Sequence, residues 1–289
     1  MAIATATRPV AVIGAGTMGS GIAQVFAAAG HQVYLGDQDE ASLERGLTSI
    51  AKSLDRLIKK GTLDAAARDQ VLGRIRRGAA GIVLKDCAIA IEAVPERPDL
   101  KKAVLRELDK VLPEDAILAT NTSSISITEL AAATSRPSRV VGMHFMNPVP
   151  LMQLVEVVRG LETSAETVNA TMEAARAVGK TPVLVEDRPG FVSNRVLLPM
   201  INEAVFALHE RVATREAIDT VMKLGMNHPL GPLALADLIG LDVCLDIMEV
   251  LHRGFGEDKY RPCPLLRTMV AAGRLGRKAG RGFYEYSDS

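Results

Sequence analysis

The chain has 289 residues, enough for two domains, and its 34 basic and 34 acidic residues balance, which gives no sign of binding to nucleic acid or to an acidic membrane. Cys87, Cys244 and Cys263 are too far apart for a disulfide framework or a zinc site, which favours a reducing cytosol. With no evident signal sequence or apolar run of membrane-spanning length, we expect a cytoplasmic protein that carries no metal site.

The first predicted element is a short buried strand, Val10–Ile13, that runs directly into a glycine-rich loop. An apolar helix follows, and a second strand, Val33–Gly36, ends at an aspartate. Gly-x-Gly-x-x-Gly spacing occurs by chance, but here the complete strand–turn–helix–strand unit is present, which predicts a dinucleotide site. The predicted cofactor-binding residues of this unit are Gly14, Gly16, Thr17, Met18, Gly19 and Asp37.

Each residue type in this unit has a physical reason. Gly14 allows a tight turn, Gly16 lets the backbone approach a pyrophosphate, and Gly19 lets helix and strand pack closely. The following helix N-terminus offers unpaired N–H groups to phosphate. Asp37 would accept hydrogen bonds from a ribose and repel a 2′-phosphate, so NAD is favoured over NADP.

Between Asp39 and Arg77, apolar residues at three- and four-residue steps predict a long helix that Gly61 ends. Basic residues gather near the end of this helix, among them Lys60. A solvated basic face and a cradle for a second phosphorylated ligand both explain this cluster, and the residues alone leave both interpretations open.

Two further buried strands are predicted at Ala88–Ala93 and Ala116–Thr120, and each precedes a polar loop. Ser123, in the second loop, could simply cap the helix that follows. However, ligands of open parallel sheets lie outside the carboxyl ends of the strands. We therefore expect four features to face one crevice: the Gly14–Gly19 loop, Glu96, Ser123 and His144.

His144 and Glu156 occur in two otherwise apolar predicted strands, Val140–Phe145 and Leu154–Val158. A buried histidine and a buried carboxylate are costly unless they satisfy each other. If the strands are neighbours, Glu156 can fix the imidazole tautomer and stabilise its charged form, as general acid–base catalysis requires. A histidine held by hydrogen bonds for structural reasons is the alternative, and this stretch alone favours it.

The stretch Glu186–Gly190 predicts a domain boundary, with an α/β domain over residues 1–187 and a helical domain over residues 188–289. Asn194 is expected one turn into the first helix of the second domain, where asparagines are usually structural. Leu233–Leu251 is apolar on more than one face and predicts one buried helix. We expect dimerisation through this helical half.

Six stretches together resemble the 3-hydroxyacyl-CoA dehydrogenases: GAGTMGSGIAQVFAAAGHQVYLGD, IEAVPE, NTSSISITELA, GMHFMNPVPLMQLVEVV, DRPGFVSNR and GRKAGRGFYEY. The resemblance spans nearly the whole chain. It is nearest to the single-function bacterial enzymes called 3-hydroxybutyryl-CoA dehydrogenases. It implies a Rossmann-type, doubly wound, mostly parallel sheet, followed by a smaller all-α domain that forms homodimers. One departure is the stretch Arg76–Gly81, where relatives often show Ser/Thr–Asp.

Carried over by position, the resemblance implies that His144 is the catalytic histidine and Glu156 the acid that orients it. Ser123 and Asn194 match residues that contact the reacting oxygen or hold the substrate. Residues that match NAD contacts are Glu96, Lys101, Ser123, Asn147 and Lys278. Ser53 and Lys60, with Ser123, match residues that bind the coenzyme A substrate.

The implied reaction is the reversible, NAD-dependent oxidation of an (S)-3-hydroxyacyl-CoA, 3-hydroxybutyryl-CoA above all, to a 3-ketoacyl-CoA. Two alternatives stay open at this point. One is a dehydrogenase of a free hydroxy acid such as L-gulonate, and the other is a dinucleotide-binding protein that does not catalyse a reaction.

Overall fold

The structure, a computed structural model, describes residues 8–78 and 83–286. It divides into two compact units, Met1–Asp187 and Arg188–Ser289, each with its own hydrophobic core. Residues 79–81, which end the departure noted at Arg76–Gly81, lie outside the described residues.

Within the described residues, the first unit is built on one eight-stranded sheet in the order β3-β2-β1-β4-β5-β6-β7-β8. Neighbouring strands are parallel except for the antiparallel pair β6 and β7. The strands are β1 (Val10–Ile13), β2 (Val33–Gly36), β3 (Ile75–Arg77), β4 (Ile89–Glu92), β5 (Ile117–Thr120), β6 (Val140–Phe145), β7 (Leu154–Arg159) and β8 (Thr181–Glu186).

Helices connect these strands, as the alternating sequence pattern predicts. They are α1 (Thr17–Ala28), α2 (Glu40–Lys59), α3 (Ala65–Arg74), α4 (Pro98–Val111), α5 (Ile127–Ala131) and α6 (Ala165–Ala177). The prediction of a doubly wound, mostly parallel sheet followed by helices is confirmed.

The strand order reverses at β1, because β2 lies on one side of it and β4 on the other. Such a reversal point is where open α/β sheets bind their ligands, outside the carboxyl ends of the strands. The glycine-rich loop follows β1 directly, so the fold places this loop at the reversal point.

Two local features of the structure were not predicted from the sequence. The strand β3 was not predicted, because Ile-Arg-Arg is short, charged and placed at the sheet edge, where no apolar pattern is required. The helix α5 is capped by Ser126, whose hydroxyl accepts a hydrogen bond from the Glu129 N–H, and not by Ser123. Ser123 therefore does not cap α5.

In the second unit, the described helices are α7 (Ser193–His209), α8 (Arg215–Gly225), α9 (Pro232–Ile239), α10 (Leu241–Phe255) and α11 (Pro264–Ala271). The single helix predicted for Leu233–Leu251 is wrong, because the chain breaks at Gly240 with φ of +107°. This positive φ is a conformation that residues with a Cβ rarely adopt, so the break favours a glycine. No helix in the described ranges is long and apolar enough to cross a bilayer.

Candidate active site

The strands β6 and β7 bring His144 and Glu156 together as directly opposite partners in the antiparallel ladder. The distance between His144 Nδ1 and Glu156 Oε2 is 2.8 Å, and the two residues are 8% and 2% exposed. The prediction that the two strands are neighbours is confirmed. The contact between the buried imidazole and the buried carboxylate offsets the free-energy cost of placing both groups in an apolar layer.

This contact determines what the imidazole can do chemically. A carboxylate only accepts hydrogen bonds, so Nδ1 carries the hydrogen, and in the neutral ring Nε2 holds the lone pair. The same strand is fixed from its other side, because the Phe145 N–H donates to Asn121 Oδ1 over 2.9 Å. His144 is therefore held in one orientation near the carboxyl end of β6.

Each of the three glycines in the loop after β1 occupies its position for a different structural reason. Gly14 has φ of +104°, and a Cβ at Gly19 would lie 1.7 Å from the Gly14 carbonyl oxygen, so both serve the fold. A Cβ at Gly16 would meet nothing within 4 Å. Gly16 and Thr17 are exposed at the start of α1, where main-chain N–H groups point outward. The open space at Gly16 therefore fits close approach by a phosphate.

Asp37 follows the last residue of β2 and is hydrogen-bonded to the glycine loop. Its Oδ2 accepts a hydrogen bond from the Ala15 N–H at 2.8 Å, and its Oδ1 accepts one from the Asp39 N–H at 3.0 Å. Each carboxylate oxygen has a second lone pair that a ribose hydroxyl can use. Asp39 in turn caps α2 by accepting from the Ala41 and Ser42 N–H groups.

Glu96 organises the polar loop that carries Ser123. Its Oε1 accepts hydrogen bonds from the Thr122 hydroxyl at 2.6 Å, the Ser123 N–H at 2.9 Å and the Ser124 N–H at 3.1 Å. Burial acts to raise the pKa of Glu96, but the charge of Lys101 and these donors outweigh it, so the pKa is lowered. An ionised carboxylate therefore holds the Ser123 loop in place.

Lys101 is 1% exposed, on the inner face of α4. Its Nζ donates to Glu92 Oε1 at 2.9 Å and to the Val94 carbonyl at 3.1 Å, and it lies 3.3 Å from Glu96 Oε2. These contacts place Lys101 beneath the Ser123 loop, and its direct contact with NAD stays a prediction. Sequence reasoning missed Glu92, although an acid ending an apolar strand was a usable signal.

Two of the three residues predicted to bind the coenzyme A substrate, Ser53 and Lys60, lie on α2 or at its end. Ser53 is half-buried, and Lys60, the C-cap residue, is exposed. Seven residues separate them, which places them on the same face of a helix, two turns apart. Lys52, Arg56 and Lys59 are also exposed, so the end of α2 is basic and open to a ligand.

Three other predicted residues have the following positions. Asn147 is exposed in the loop between β6 and β7, and its peptide bond to Pro148 is cis. Asn194 is the second residue of α7, within its first turn rather than one turn in, so the argument from mid-helix asparagines does not apply. The Nζ of Lys278 donates to Asp242 Oδ2 at 2.6 Å within the second unit.

Comparison with known protein families assigns both units. The family model described as the NAD binding domain of 3-hydroxyacyl-CoA dehydrogenase matches residues 9–188, and the model of the C-terminal domain matches residues 190–286. The chain belongs to the 3-hydroxyacyl-CoA dehydrogenase family. As a member of this family, it is an NAD-dependent dehydrogenase.

Similar proteins support this assignment over nearly the full length. A Deinococcus radiodurans protein named "Probable 3-hydroxybutyryl-CoA dehydrogenase" is 56% identical over 275 residues, which cover 95% of this chain and 99% of that protein. The 3-hydroxybutyryl-CoA dehydrogenase of Bradyrhizobium diazoefficiens is 51% identical, with 98% of this chain and 97% of that protein covered. The crystal structure of (S)-3-hydroxybutyryl-CoA dehydrogenase from Ralstonia eutropha matches with a TM-score of 0.95 and 53% identity, covering 97% of this chain and 99% of that one.

Proposed function

We propose that this 3-hydroxyacyl-CoA dehydrogenase interconverts (S)-3-hydroxybutyryl-CoA and its 3-keto counterpart, with His144 as the general base. The observation that carries this proposal is the 2.8 Å contact between His144 Nδ1 and Glu156 Oε2 at the carboxyl end of β6. The names of the similar proteins support the four-carbon substrate.

In the proposed mechanism, the glycine loop and Asp37 would hold NAD, which would supply the hydride acceptor for C3 of the substrate. His144 takes the proton of the C3 hydroxyl at Nε2, and Glu156 stabilises the imidazolium that results. Ser123 and Asn194 would position the polarised oxygen or the thioester carbonyl. In the reverse direction, the same imidazolium returns the proton to the alkoxide.

The proposed cofactor contacts follow the geometry of the first unit. The N-terminus of α1 and the open Gly16 would hold the pyrophosphate, with Thr17 and Met18 beside it, and Asp37 would bind the ribose. Glu96 fixes the loop through which Ser123 would meet the cofactor. Asn147, Lys101 and Lys278 complete the proposed set.

The experiment that tests this function mixes the purified protein with NADH and acetoacetyl-CoA and follows the nicotinamide absorbance. We expect steady loss of NADH absorbance that depends on both enzyme and thioester. A protein that binds NADH but leaves its absorbance constant would remove the proposed activity and favour a non-catalytic dinucleotide-binding role.

The role of His144 is tested by His144→Gln. Because the amide cannot accept the hydroxyl proton, we expect turnover to fall by about 10²–10⁴-fold while NADH binds as in the wild type. The matched control is His209→Gln, an exposed histidine at the end of α7. Turnover near the wild-type value in His144→Gln would show that another group is the base.

Substrate class is tested at the basic end of α2. If Ser53 and Lys60 hold the coenzyme A portion, the double change Ser53→Ala and Lys60→Ala should raise KM for acetoacetyl-CoA about tenfold or more, with kcat little changed. Lys110→Ala, at an exposed lysine of α4, is the control. An unchanged KM, together with oxidation of free L-gulonate, would favour the free-acid alternative.

We also propose that the chain forms a homodimer through its second unit and works in the cytoplasm. The first proposal is supported by exposed apolar residues one turn apart on α8, Val221 at 60% and Leu224 at 81% exposed. The second is supported by the three cysteines, which are all buried free thiols, as a reducing compartment permits.

A further inference from the structure

Lys180 is a buried lysine, 8% exposed, in the turn between α6 and β8. Its Nζ donates hydrogen bonds to the main-chain carbonyls of Val149, at 2.5 Å, and Met152, at 2.8 Å. Both carbonyls belong to the loop 146–153, which joins the strand of His144 to the strand of Glu156. Lys180 thus clamps the connection between the two strands that carry the catalytic pair.

Burial lowers the pKa of Lys180, because the ammonium is removed from water. Burying a cation costs desolvation free energy that its carbonyl partners only partly offset. An apolar side chain would fill the same space without that cost. A donor at this position is therefore useful where the exact placement of the loop matters.

The loop 146–153 also packs against α1, the helix that follows the glycine loop. Val149 is 2% exposed, and a Cβ at Gly21, in α1, would lie 2.8 Å from the Val149 Cβ. The loop also turns tightly on itself, because the Leu151 and Met152 N–H groups both donate to the Pro148 carbonyl. Asn147, the proposed NAD contact, is the residue immediately before this turn.

We propose that Lys180 is a positioning residue for the cofactor site: by clamping the loop between β6 and β7 against α1, it sets the position of Asn147 relative to the glycine loop. This inference rests on the proposed function, because the contact of Asn147 with NAD is part of that function. In this proposal Lys180 acts through the carbonyls of the loop and not by contact with the cofactor or the substrate.

The test replaces Lys180 by methionine, which keeps the length of the side chain but removes its donors. We expect the Kd for NADH to rise about tenfold, the equivalent of one lost buried hydrogen bond, while KM for acetoacetyl-CoA at saturating NADH stays unchanged. Lys110→Met, at a 67% exposed lysine, is the control and should bind NADH as the wild type does.

A double-mutant cycle separates positioning from a general loss of stability. If Lys180 acts through Asn147, the change Asn147→Ala should weaken NADH binding less in the Lys180→Met protein than in the wild type. Fully additive effects, or an unchanged Kd for NADH in Lys180→Met, would overturn the inference.

If Lys180→Met does not fold, Gly21→Ala tests whether the position of the loop sets the affinity for NADH, because its methyl group would press on Val149 from the side of α1. We again expect a Kd for NADH raised about tenfold, and an unchanged Kd would overturn the inference. The wild-type assay with acetoacetyl-CoA keeps the two questions apart, since an inactive wild-type protein refutes the proposed function and an active one with insensitive variants refutes only the role of Lys180.

Discussion

At the scale of single residues, buried charge in the first unit is concentrated under the candidate active site. Glu92 is fully buried and accepts hydrogen bonds from Lys101, from the Thr120 hydroxyl and from the Val94 N–H. Lys101 then reaches Glu96, which holds the Ser123 loop. A chain of ionic contacts thus connects the end of β4 to the loop after β5.

Lys101 can be tested against its own neighbour in the sequence. Lys101→Met leaves Glu92 buried without its cation, so we expect the free energy of unfolding to fall by about 3–5 kcal/mol. Lys102 is partly exposed and pairs with the exposed Glu129, so Lys102→Met should cost only about 0–1 kcal/mol. Urea unfolding followed by circular dichroism gives both values, and equal costs would contradict the buried network.

The sequence predicted the proximity of His144 and Glu156, but not the buried residues that support the candidate site. His144 and Glu156 stand out because each interrupts an apolar strand, and a period of two places them on chosen faces. Lys101 was named only through the family resemblance, because a lysine beside Lys102 near the start of a charged helix is otherwise typical of a solvated surface. Its burial depends on how α4 packs against the sheet, which the local pattern does not contain.

At the scale of elements, the glycine loop shows that one motif serves both fold and ligand. Gly14 and Gly19 are required by the chain itself, through a positive φ and a main-chain approach that no Cβ permits. Gly16 has a negative φ and open space around it, so the fold does not require a glycine there. Substitution of Gly14 or Gly19 should therefore destabilise the fold, whereas substitution of Gly16 should weaken ligand binding.

The difference is measurable with Gly16→Ala. We expect the free energy of unfolding to change by less than about 0.5 kcal/mol, while the Kd for NADH rises about tenfold or more because a methyl group meets the phosphate. Gly73→Ala in α3, another position where a Cβ meets nothing, is the control and should leave NADH binding unchanged. Wild-type affinity in Gly16→Ala would argue against a pyrophosphate at this loop.

Elements whose limits depend on distant contacts were the ones that the sequence did not reveal. The edge strand β3 forms because β2 offers it a parallel partner, not because of its own composition. The break between α9 and α10 lies at Gly240, which the apolar pattern crosses without interruption. A glycine within a helical pattern is compatible with either a continuous or a broken helix.

At the scale of the whole molecule, the chain divides at the junction of Asp187 and Arg188. Asp187 is anchored within the first unit, where its Oδ2 accepts hydrogen bonds from the Ser126 hydroxyl and the Thr128 N–H. These hydrogen bonds fix Asp187, the last residue of the first unit, to the start of α5, the helix that follows the Ser123 loop.

The proposed homodimer is tested by sedimentation at micromolar concentration, where we expect twice the mass of the 30.8 kDa chain. Apolar side chains as exposed as Leu224 are more stable when a partner covers them, so Leu224→Asp on α8 should weaken the dimer if α8 lies in the interface. A monomeric mass for the wild-type protein would contradict the proposal.

The antiparallel pairing of β6 with β7 also has a consequence for how the protein loses activity. Both strands lie inside the sheet, flanked by β5 and β8, so their amide hydrogens belong to the class that exchanges with solvent most slowly. The backbone register that places His144 directly opposite Glu156 is lost only when this inner ladder opens. Fraying of loops or termini therefore leaves His144 and Glu156 opposite each other in the ladder.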